Sequence, residues 1–204
     1  MVASNSLPWI RERLAAHHPR RLDGRGQQRA AVAVTFRAAG SADDSELLLI
    51  KRAERDGDPW SGHMAFPGGR LEPSTDGDPL AAALREAREE VALELGRDAR
   101  LLGPLDEINA AARGRRLPLI ISPFAFELLR PVELRANEEV EEIHWVPLSR
   151  LRDERAASTM PYQLEGMRLT LPCLRVARRV IWGLTYQMLM RLYIALDWEL
   201  PANG

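Results

Sequence analysis

Residues 68–93 read GGRLEPSTDGDPLAAALREAREEVAL and divide into a turn, a polar loop and a helix. The turn is the Pro-Gly-Gly run at 67–69. Asp78 is a favourable N-cap, and Pro79 suits the first helical position because its missing N–H would have no intrahelical partner there. Strong helix formers then continue until Gly96, where we expect the helix to end. The stretch therefore predicts a helix that follows a glycine turn and a polar loop.

Three glutamates are crowded on one flank of this predicted helix. At about 100° per residue they fall within an arc of roughly 100°. The three are Glu86, Glu89 and Glu90. The helix dipole disfavours anions in this C-terminal half, and Glu86 and Glu90 are like charges four residues apart. Two interpretations are open: a solvated acidic face, or a site for a hard divalent cation such as Mg²⁺, which prefers oxygen ligands.

The opposite face of the helix is small and apolar, so we expect it to pack on the core. It consists of Leu80, Ala83, Leu84, Ala87 and Val91. Arg85 lies one turn before Glu89 and can form an ion pair with it.

The spacing from Gly69 to Leu93 resembles the Nudix box. That pattern is a Gly, five residues, a Glu, seven residues and then R-E-aliphatic-x-E-E-x-G-aliphatic, and residues 85–93 read REAREEVAL. Ala92 replaces the late glycine, and Ala87 occupies the first aliphatic position. The early glutamate would fall at Gly77, which has an aspartate on each side, and the loop is two residues longer than the pattern.

A second similarity precedes the box. Residues 47–70, LLLIKRAERDGDPWSGHMAFPGGR, resemble the lead-in of the coenzyme A pyrophosphatase group of Nudix proteins. Arg52, Gly62 and residues 66–69 match, whereas Trp60 and His63 stand where that group has His and Gln. We expect His63 to have a packing or hydrogen-bonding role. Further similarities lie at 123–124, 139–148 and 181–189, so the resemblance covers roughly residues 30–196.

The resemblance implies an α+β fold, the Nudix α/β/α sandwich, with a mixed curved sheet between helices. It also implies a site for Mg²⁺ or Mn²⁺. The implied metal ligands are Gly69, Glu86, Glu89 and Glu90. Arg85 would orient Glu89 and offset the negative charge.

Nudix proteins often have an acidic loop that supplies a further metal ligand or a general base. Glu138 or Glu139 is the candidate, and Glu139 is selected; a charged entrance to the following strand is the alternative interpretation for either residue. One of the three helix glutamates can also serve as the base. Arg52, Arg113 and Arg115 are candidates for contacts with substrate phosphates. The basic loop at 110–116 has an alternative interpretation as a solvated hairpin tip.

The implied activity is metal-dependent hydrolysis of a nucleoside diphosphate linked to another moiety, which makes the chain a Nudix pyrophosphohydrolase. Coenzyme A, cleaved to phosphopantetheine and adenosine 3',5'-bisphosphate, is the first candidate. ADP-ribose or another nucleotide is an alternative. A catalytically silent module that binds a nucleotide is a third, although the intact R-E-x-x-E-E argues against it, since such a module has no need of mutually repelling acids.

Composition indicates a soluble cytoplasmic protein, and the resemblance implies a small nucleotide as its partner. The net charge of −1 over 204 residues indicates no nucleic-acid partner. Residues 1–18 contain no apolar segment typical of a signal peptide, and no apolar run is long enough to span a membrane. Cys173 has no second cysteine with which to form a disulfide.

Three regions are expected: an N-terminal helix and connector at 1–29, the Nudix hydrolase domain at 30–198, and a C-terminal tail at 199–204. Near the C-terminus we expect a hairpin at 163–171 and a long helix at 176–196, which has an apolar stripe at helical spacing. The strand at 117–129 contains Pro123, which predicts an edge or a bulge. That strand and the N-terminal helix can each belong to the core or support a homodimer.

Overall fold

The computed structural model describes residues 3–24, 26–58, 60–112, 115–164 and 166–201, without the side chains of 111, 112, 115 and 116. It contains five α-helices within these ranges. They are α1 Leu7–Ala16, α2 Pro79–Val91, α3 Leu95–Asp98, α4 Leu148–Leu151 and α5 Gly183–Ala195. A 3-10 turn at Glu154–Ala156 follows α4. None of the described helices is long and apolar enough to cross a membrane.

Eleven strands within the same ranges form two sheets. Eight of them belong to the larger sheet: β1 Gln28–Ala38, β2 Ser45–Arg52, β3 Met64–Ala65, β4 Gly68–Arg70, β5 Ala99–Pro104, β6 Ile108–Ala112, β7 Arg115–Leu128 and β8 Val140–Pro147. The remaining three make a small antiparallel sheet: β9 Ala157–Leu164, β10 Met167–Val176 and β11 Arg179–Trp182.

The larger sheet is mixed, because β1 and β7 run parallel while the other pairings are antiparallel. One edge of β1 is shared: its first half pairs with β4 and its last residues pair with β2. This arrangement places the turn at 67–69 directly beside β1, in the middle of the sheet.

Helices cover both faces of the larger sheet. Alternate residues of β1 point to opposite sides, as a pleated strand requires. Ala31 and Ala33 belong to a buried cluster with α2, whereas Val32 and Val34 belong to a larger cluster that also contains residues of α1 and α5. The predicted α+β sandwich, with a mixed sheet between helices, is therefore confirmed.

The predicted start of α2 is confirmed, but its predicted end is wrong. The Asp78 carboxylate accepts a hydrogen bond from the Ala81 N–H at 2.9 Å, as an N-cap does. The helix ends at Val91, and Ala92 adopts the left-handed conformation with φ 56°. The Ala92 N–H donates to the Arg88 carbonyl at 3.0 Å, which is the bond of an αL cap, and the Leu93 N–H donates to the Ala87 carbonyl at 3.1 Å. Gly96 lies in the separate short helix α3.

The predicted helix at 176–196 is also wrong in its first turns. Ala177 and Arg178 both have positive φ, 46° and 67°, and they connect β10 to β11 as a two-residue hairpin turn. The β-branched Val180 and Ile181 belong to β11, and α5 begins only at Gly183. This correction moves Trp182 from a helix to the end of a strand.

Pro123 does not mark a sheet edge, because β7 has neighbours on both sides. It pairs with Val32 of β1 on one side. On the other side β5 reaches only to a pairing with Phe124, and β6 begins at a pairing with Ile121. Pro123 thus lies where β7 passes from one partner to the next. At that junction its missing N–H breaks no continuous ladder.

The N-terminal helix packs against the same core as the rest of the chain. Ile10 is fully buried and Leu14 nearly so, both in the cluster that contains α5. The Trp9 indole N–H donates to the Leu196 carbonyl at 3.0 Å, and Arg11 makes a two-point ion pair with the buried Glu127 of β7. The division at residue 30 stays a prediction. The two segments named as dimer candidates, α1 and β7, both lie in the core.

Candidate active site

A cavity of about 470 Å³ opens between the larger sheet, the start of β4 and the small sheet. Its size is typical of a site for a small-molecule ligand. One end is polar and includes Arg52, Arg70, Glu86 and Glu139. The other end is aromatic and aliphatic, and its residues include Trp60, His63, Leu119, Ile121, Trp182 and Met188.

Glu90 is buried at the base of the polar end, with 1% of its surface exposed. The Gly68 N–H donates to its Oε2 at 2.8 Å, and Arg52 Nη1 lies 3.9 Å from its Oε1. Burial raises the pKa of Glu90 to about 8, and the neighbouring charge of Glu86 adds to the rise. The nearby positive charge therefore does not offset the cost of burying this carboxylate.

Glu86 lies against Gly69 with no room for a side chain between them. A Cβ atom built on Gly69 would be 2.2 Å from Glu86 Oε1 and 2.5 Å from its carboxyl carbon. Burial raises the pKa of Glu86, Arg85 opposes the rise, and the charges of Glu89 and Glu139 add to it. A glycine at 69 is thus the condition for Glu86 to lie beside the turn.

Arg85 connects three acidic side chains. Its Nη1 donates to Glu86 Oε1 at 3.0 Å and to Glu89 Oε2 at 2.9 Å. Its Nε and Nη2 each donate at 3.0 Å to the two oxygens of Asp76. Nη2 also donates to the Arg70 carbonyl at 3.0 Å. The guanidinium therefore fixes the loop, the turn and the helix relative to one another.

Asp76 is the acid that the box comparison could not place. The comparison pointed to Gly77 with an aspartate on each side, and the structure gives the two aspartates different positions. Asp76 is buried and holds Arg85, and that hydrogen bonding keeps its pKa below the ordinary value. Asp78 caps α2 instead. The signal was present in the sequence, but the longer loop concealed which acid turns inward.

Glu139 and Glu138 differ in their surroundings. Glu139 lines the cavity, and its Oε1 accepts a hydrogen bond from Arg55 Nη1 at 2.9 Å. The charge of Glu139 also raises the pKa values of Glu86 and Glu90. Glu138 is 89% exposed in its side chain and lies 3.7 Å from Arg55. Only Glu139 is placed with the carboxylates of α2.

The predicted phosphate-binding arginines have different outcomes. Arg52 lines the cavity, where its Nη2 donates to Asp58 Oδ2 at 2.8 Å. Arg113 lies outside the described residues, and Arg115 is described only in its backbone, as the first residue of β7. Arg70, which sequence reasoning did not select, also lines the cavity, and none of the described carboxylates pairs with it. A cation directly after the glycine turn is the signal that could have identified it.

The aromatic end contains a residue that sequence reasoning missed. Trp182 projects from the end of β11, and its ring centroid lies 4.5 Å from that of His63. The predicted helix at 176–196 placed this position on a helix and outside the candidate site. His63 packs on Trp182, and burial lowers its pKa, so its ring is neutral at pH 7.

The donor set fits a hard divalent cation in its chemistry. Glu86, Glu89 and Glu90 offer oxygen atoms only, and burial leaves two of them short of positive charge. Within the described part of the chain, no three acidic, His or Cys side chains already converge as a metal site. Glu86 and Glu89 instead accept from the same Arg85 nitrogen. Glu89 is half exposed and has space to turn away from Arg85.

Comparisons with known proteins give a family and a fold. Residues 26–165 match the family model described as NUDIX domain. The chain is 36% identical over 155 residues to an uncharacterised protein of Schizosaccharomyces pombe, covering 68% of this chain and 47% of the relative. It is 30% identical over 142 residues to the mitochondrial coenzyme A diphosphatase of Homo sapiens, covering 68% and 58%. The chain thus spans about half the length of the curated relatives it matches.

Among solved structures, the chain is similar to a MutT/nudix family protein from Enterococcus faecalis. The TM-score is 0.53 at 15% identity, covering 94% of this chain and 70% of that one. At this identity the likeness shows the fold alone.

Proposed function

Because this chain belongs to the NUDIX domain family, we propose that it hydrolyses the phosphoanhydride bond of a nucleoside diphosphate linked to another moiety, with coenzyme A as the first candidate. The observation that carries the proposal is that Glu86 and Glu139 line one end of a ligand-sized cavity, with the buried Glu90 beside Glu86 on the same helix. A buried acid such as Glu90 is costly unless a cation or a proton joins it.

The chemistry follows from the oxygen donors. Mg²⁺ or Mn²⁺, held by the Gly69 carbonyl, Glu86, Glu89 and Glu90, would neutralise phosphate oxygens and lower the pKa of a bound water. Glu139, which lines the cavity near the carboxylates of α2, would accept a proton from the attacking water. The water oxygen becomes bonded to one phosphorus while the anhydride P–O bond breaks. The products are two phosphate monoesters.

The remaining charged residues position the reactants. Arg85 orients Glu86 and Glu89 through the hydrogen bonds described above. Arg52 and Arg70 lie at the polar end and would contact the diphosphate. Arg113 and Arg115 remain proposed phosphate contacts.

Two observations support coenzyme A as the substrate. One is the sequence similarity to the human mitochondrial coenzyme A diphosphatase, and the other is the lead-in at 47–70. For this substrate the products would be phosphopantetheine and adenosine 3',5'-bisphosphate. One observation favours a second candidate, ADP-ribose or another nucleoside diphosphate. The lead-in departs from the coenzyme A group at Trp60 and His63, and both of these line the cavity.

A substrate panel tests the proposal. Coenzyme A, ADP-ribose, NADH, diadenosine polyphosphates and nucleoside triphosphates are each incubated with Mg²⁺ or Mn²⁺, and products are separated by chromatography. We expect metal-dependent turnover that is highest with coenzyme A. Preference for another diphosphate would reassign the substrate and keep the reaction. Absence of turnover with nucleotide binding retained would favour the silent binding module.

Glu89→Gln and Glu90→Gln then test the site. We expect each to lower kcat by about 100-fold or more, since the charge that holds the cation is removed. Glu90→Gln keeps an oxygen that can accept from the Gly68 N–H, so the fold should survive. Glu94→Gln, an exposed acid just after α2, is the matched control and should leave kcat unchanged. Full activity in either site variant would refute the assignment.

A further inference from the structure

The two ends of the cavity differ in the chemistry they can bind. Carboxylates and arginines line one part of the cavity, and three partly exposed aromatic rings line another: Trp60, His63 and Trp182. The two parts adjoin at Arg52, whose backbone N–H donates to the His63 carbonyl at 3.0 Å. Partly exposed aromatic side chains inside a ligand-sized cavity offer flat surfaces for stacking. The carboxylate chemistry of the proposed function makes no use of them.

Trp182 is held from outside the cavity. Its centroid lies 5.3 Å from that of Tyr162 on β9, with the ring planes at 50°, and Tyr162 is not among the cavity residues. Its backbone pairs with Cys173 on β10. The small sheet therefore presents the Trp182 ring to the cavity, beside His63, which is inclined to it by 51°.

Trp60 is connected to the polar end through Asp58. The backbone N–H of Trp60 donates to Asp58 Oδ1 at 2.9 Å, and Arg52 Nη2 donates to Asp58 Oδ2 at 2.8 Å. Arg52 in turn faces Glu90. The loop that carries Trp60 is thus fixed relative to the carboxylates, so the distance between the two ends is defined by ordered contacts.

We propose that Trp182, together with Trp60 and His63, forms a subsite that stacks the nucleobase of the substrate, while the diphosphate lies at the polar end. Every base has a π face, and stacking on an aromatic side chain requires no hydrogen-bond code. The neutral ring of His63 adds a flat surface without a charge. The other candidate for this end, the flexible pantetheine arm of coenzyme A, matches the aliphatic Leu119, Ile121 and Met188 better than the rings.

This inference rests on the proposed function for the position of the diphosphate, but its test does not require turnover. Binding of AMP, ribose 5-phosphate and 4'-phosphopantetheine is measured by titration calorimetry in EDTA. AMP and ribose 5-phosphate differ only in the base, so their ratio of affinities reports the base contact. We expect AMP to bind more tightly than ribose 5-phosphate to the unaltered protein.

Trp182→Leu should weaken AMP roughly tenfold, which lies within the range for loss of one stacking contact. It should leave ribose 5-phosphate and 4'-phosphopantetheine unchanged. Trp182→Phe should restore most of the AMP affinity, because the ring is retained. Trp145→Leu is the matched control: Trp145 lies on β8, packs on Arg37 and does not line this cavity. Trp60→Leu provides an independent variant if Trp182→Leu does not fold.

Equal affinities of the unaltered protein for AMP and ribose 5-phosphate would overturn the subsite. So would a Trp182→Leu variant that is folded and binds AMP normally, or one that loses phosphopantetheine instead. Failure of the proposed function is a separate result: the unaltered protein would turn over no diphosphate in the panel while the AMP result still held.

Discussion

Two adjacent glutamates on the loop before β8 show that the surroundings of a side chain determine which of them can act as a general base. Glu139 faces the carboxylates of α2, whereas Glu138 points into solvent. The sequence offered both as the general base, since neighbouring residues of one type carry no signal about direction. The structure separates them by exposure and by their influence on Glu86 and Glu90.

We expect Glu139→Gln to lower kcat by about 100-fold or more and Glu138→Gln to leave it within about twofold, because general-base catalysis contributes roughly 10²–10⁴. Steady-state kinetics on the best substrate of the panel measures both variants under the same conditions. A larger loss in Glu138→Gln than in Glu139→Gln would transfer the role to the exposed residue. Equal activity of both with the unaltered protein would place the base elsewhere.

Asp76 should matter for stability because it is the buried partner of Arg85. Their side chains are 2% and 12% exposed, so solvent screens the pair only weakly. We expect Asp76→Asn to lower the free energy of unfolding by about 2–3 kcal/mol, less than a fully broken buried pair because Asn still accepts a hydrogen bond. Asp78→Asn is the control and should change stability by less than about 0.5 kcal/mol, since both residues cap helices well.

The same pair predicts a pH dependence. Hydrogen bonds from Arg85 hold the pKa of Asp76 below its ordinary value of 3.8. The unfolded chain therefore takes up this proton at higher pH than the folded protein. The contribution is fully present well above pH 3.8 and is lost as the pH falls through the folded pKa. Urea unfolding between pH 3 and 6 should show a shallower acid loss in Asp76→Asn; an identical slope would contradict the assignment.

At the scale of elements, the C-terminus of α2 departs from what the sequence indicated. Ala92 holds the left-handed conformation that glycine usually supplies, at a position where the Nudix pattern has glycine. Pattern reasoning favoured Gly96 because an alanine carries no sign that it will stop a helix. The contacts that decide, Leu93 buried below and the Ala87 carbonyl accepting its N–H, are tertiary.

We expect Ala92→Gly to raise the free energy of unfolding by about 0.5–1 kcal/mol. The left-handed conformation costs an L-residue roughly 1–2 kcal/mol, and the greater freedom of glycine in the unfolded chain offsets part of the gain. Ala15→Gly is the control of opposite sign, because Ala15 is exposed in the right-handed helix α1. We expect this variant to lower the free energy of unfolding by about 0.5–1 kcal/mol. Thermal and urea unfolding report both signs; destabilisation by Ala92→Gly would show that the strain is absent.

What the sequence predicted well were features with local causes. Asp78 and Pro79 determine where α2 starts. The hairpin turn at Ala177 and Arg178 was missed because neither residue is Gly, Asn or Asp, the usual signals for positive φ. The apolar residues that follow then matched a helical period as well as a strand. That single error removed Trp182 from the candidate site.

For the molecule as a whole, the position of α1 has consequences for stability. Ile10 is fully buried, so we expect Ile10→Ala to lower the free energy of unfolding by about 2–5 kcal/mol, the usual cost of such a cavity. Glu12→Ala, exposed on the same helix, should stay within about 0.5 kcal/mol. Urea unfolding followed by tryptophan fluorescence and circular dichroism provides the measurement. If fluorescence and circular dichroism show the same lowered unfolding midpoint in Ile10→Ala, α1 unfolds together with the main domain. An unchanged main transition would support the predicted division at residue 30.

Cellular location and oligomeric state stay predictions. Cytoplasmic location was expected from the sequence, while the human relative carries a mitochondrial name. The two segments suggested for a homodimer interface are both buried in the monomer: β7 is paired along both edges, and α1 packs its apolar face on the core.

The chain has one thiol, and its burial makes it a built-in reporter. Cys173 is 1% exposed and lies on β10, between strands β9 and β11. It pairs with Trp182, the tryptophan that lines the cavity. An alkylating reagent can reach the sulfur only when the small sheet separates from its neighbours, so the rate of modification counts opening events. Modification adds one label per chain with no mutation, and mass spectrometry reads it directly. A ligand that binds against Trp182 would lower the rate at which Cys173 is alkylated.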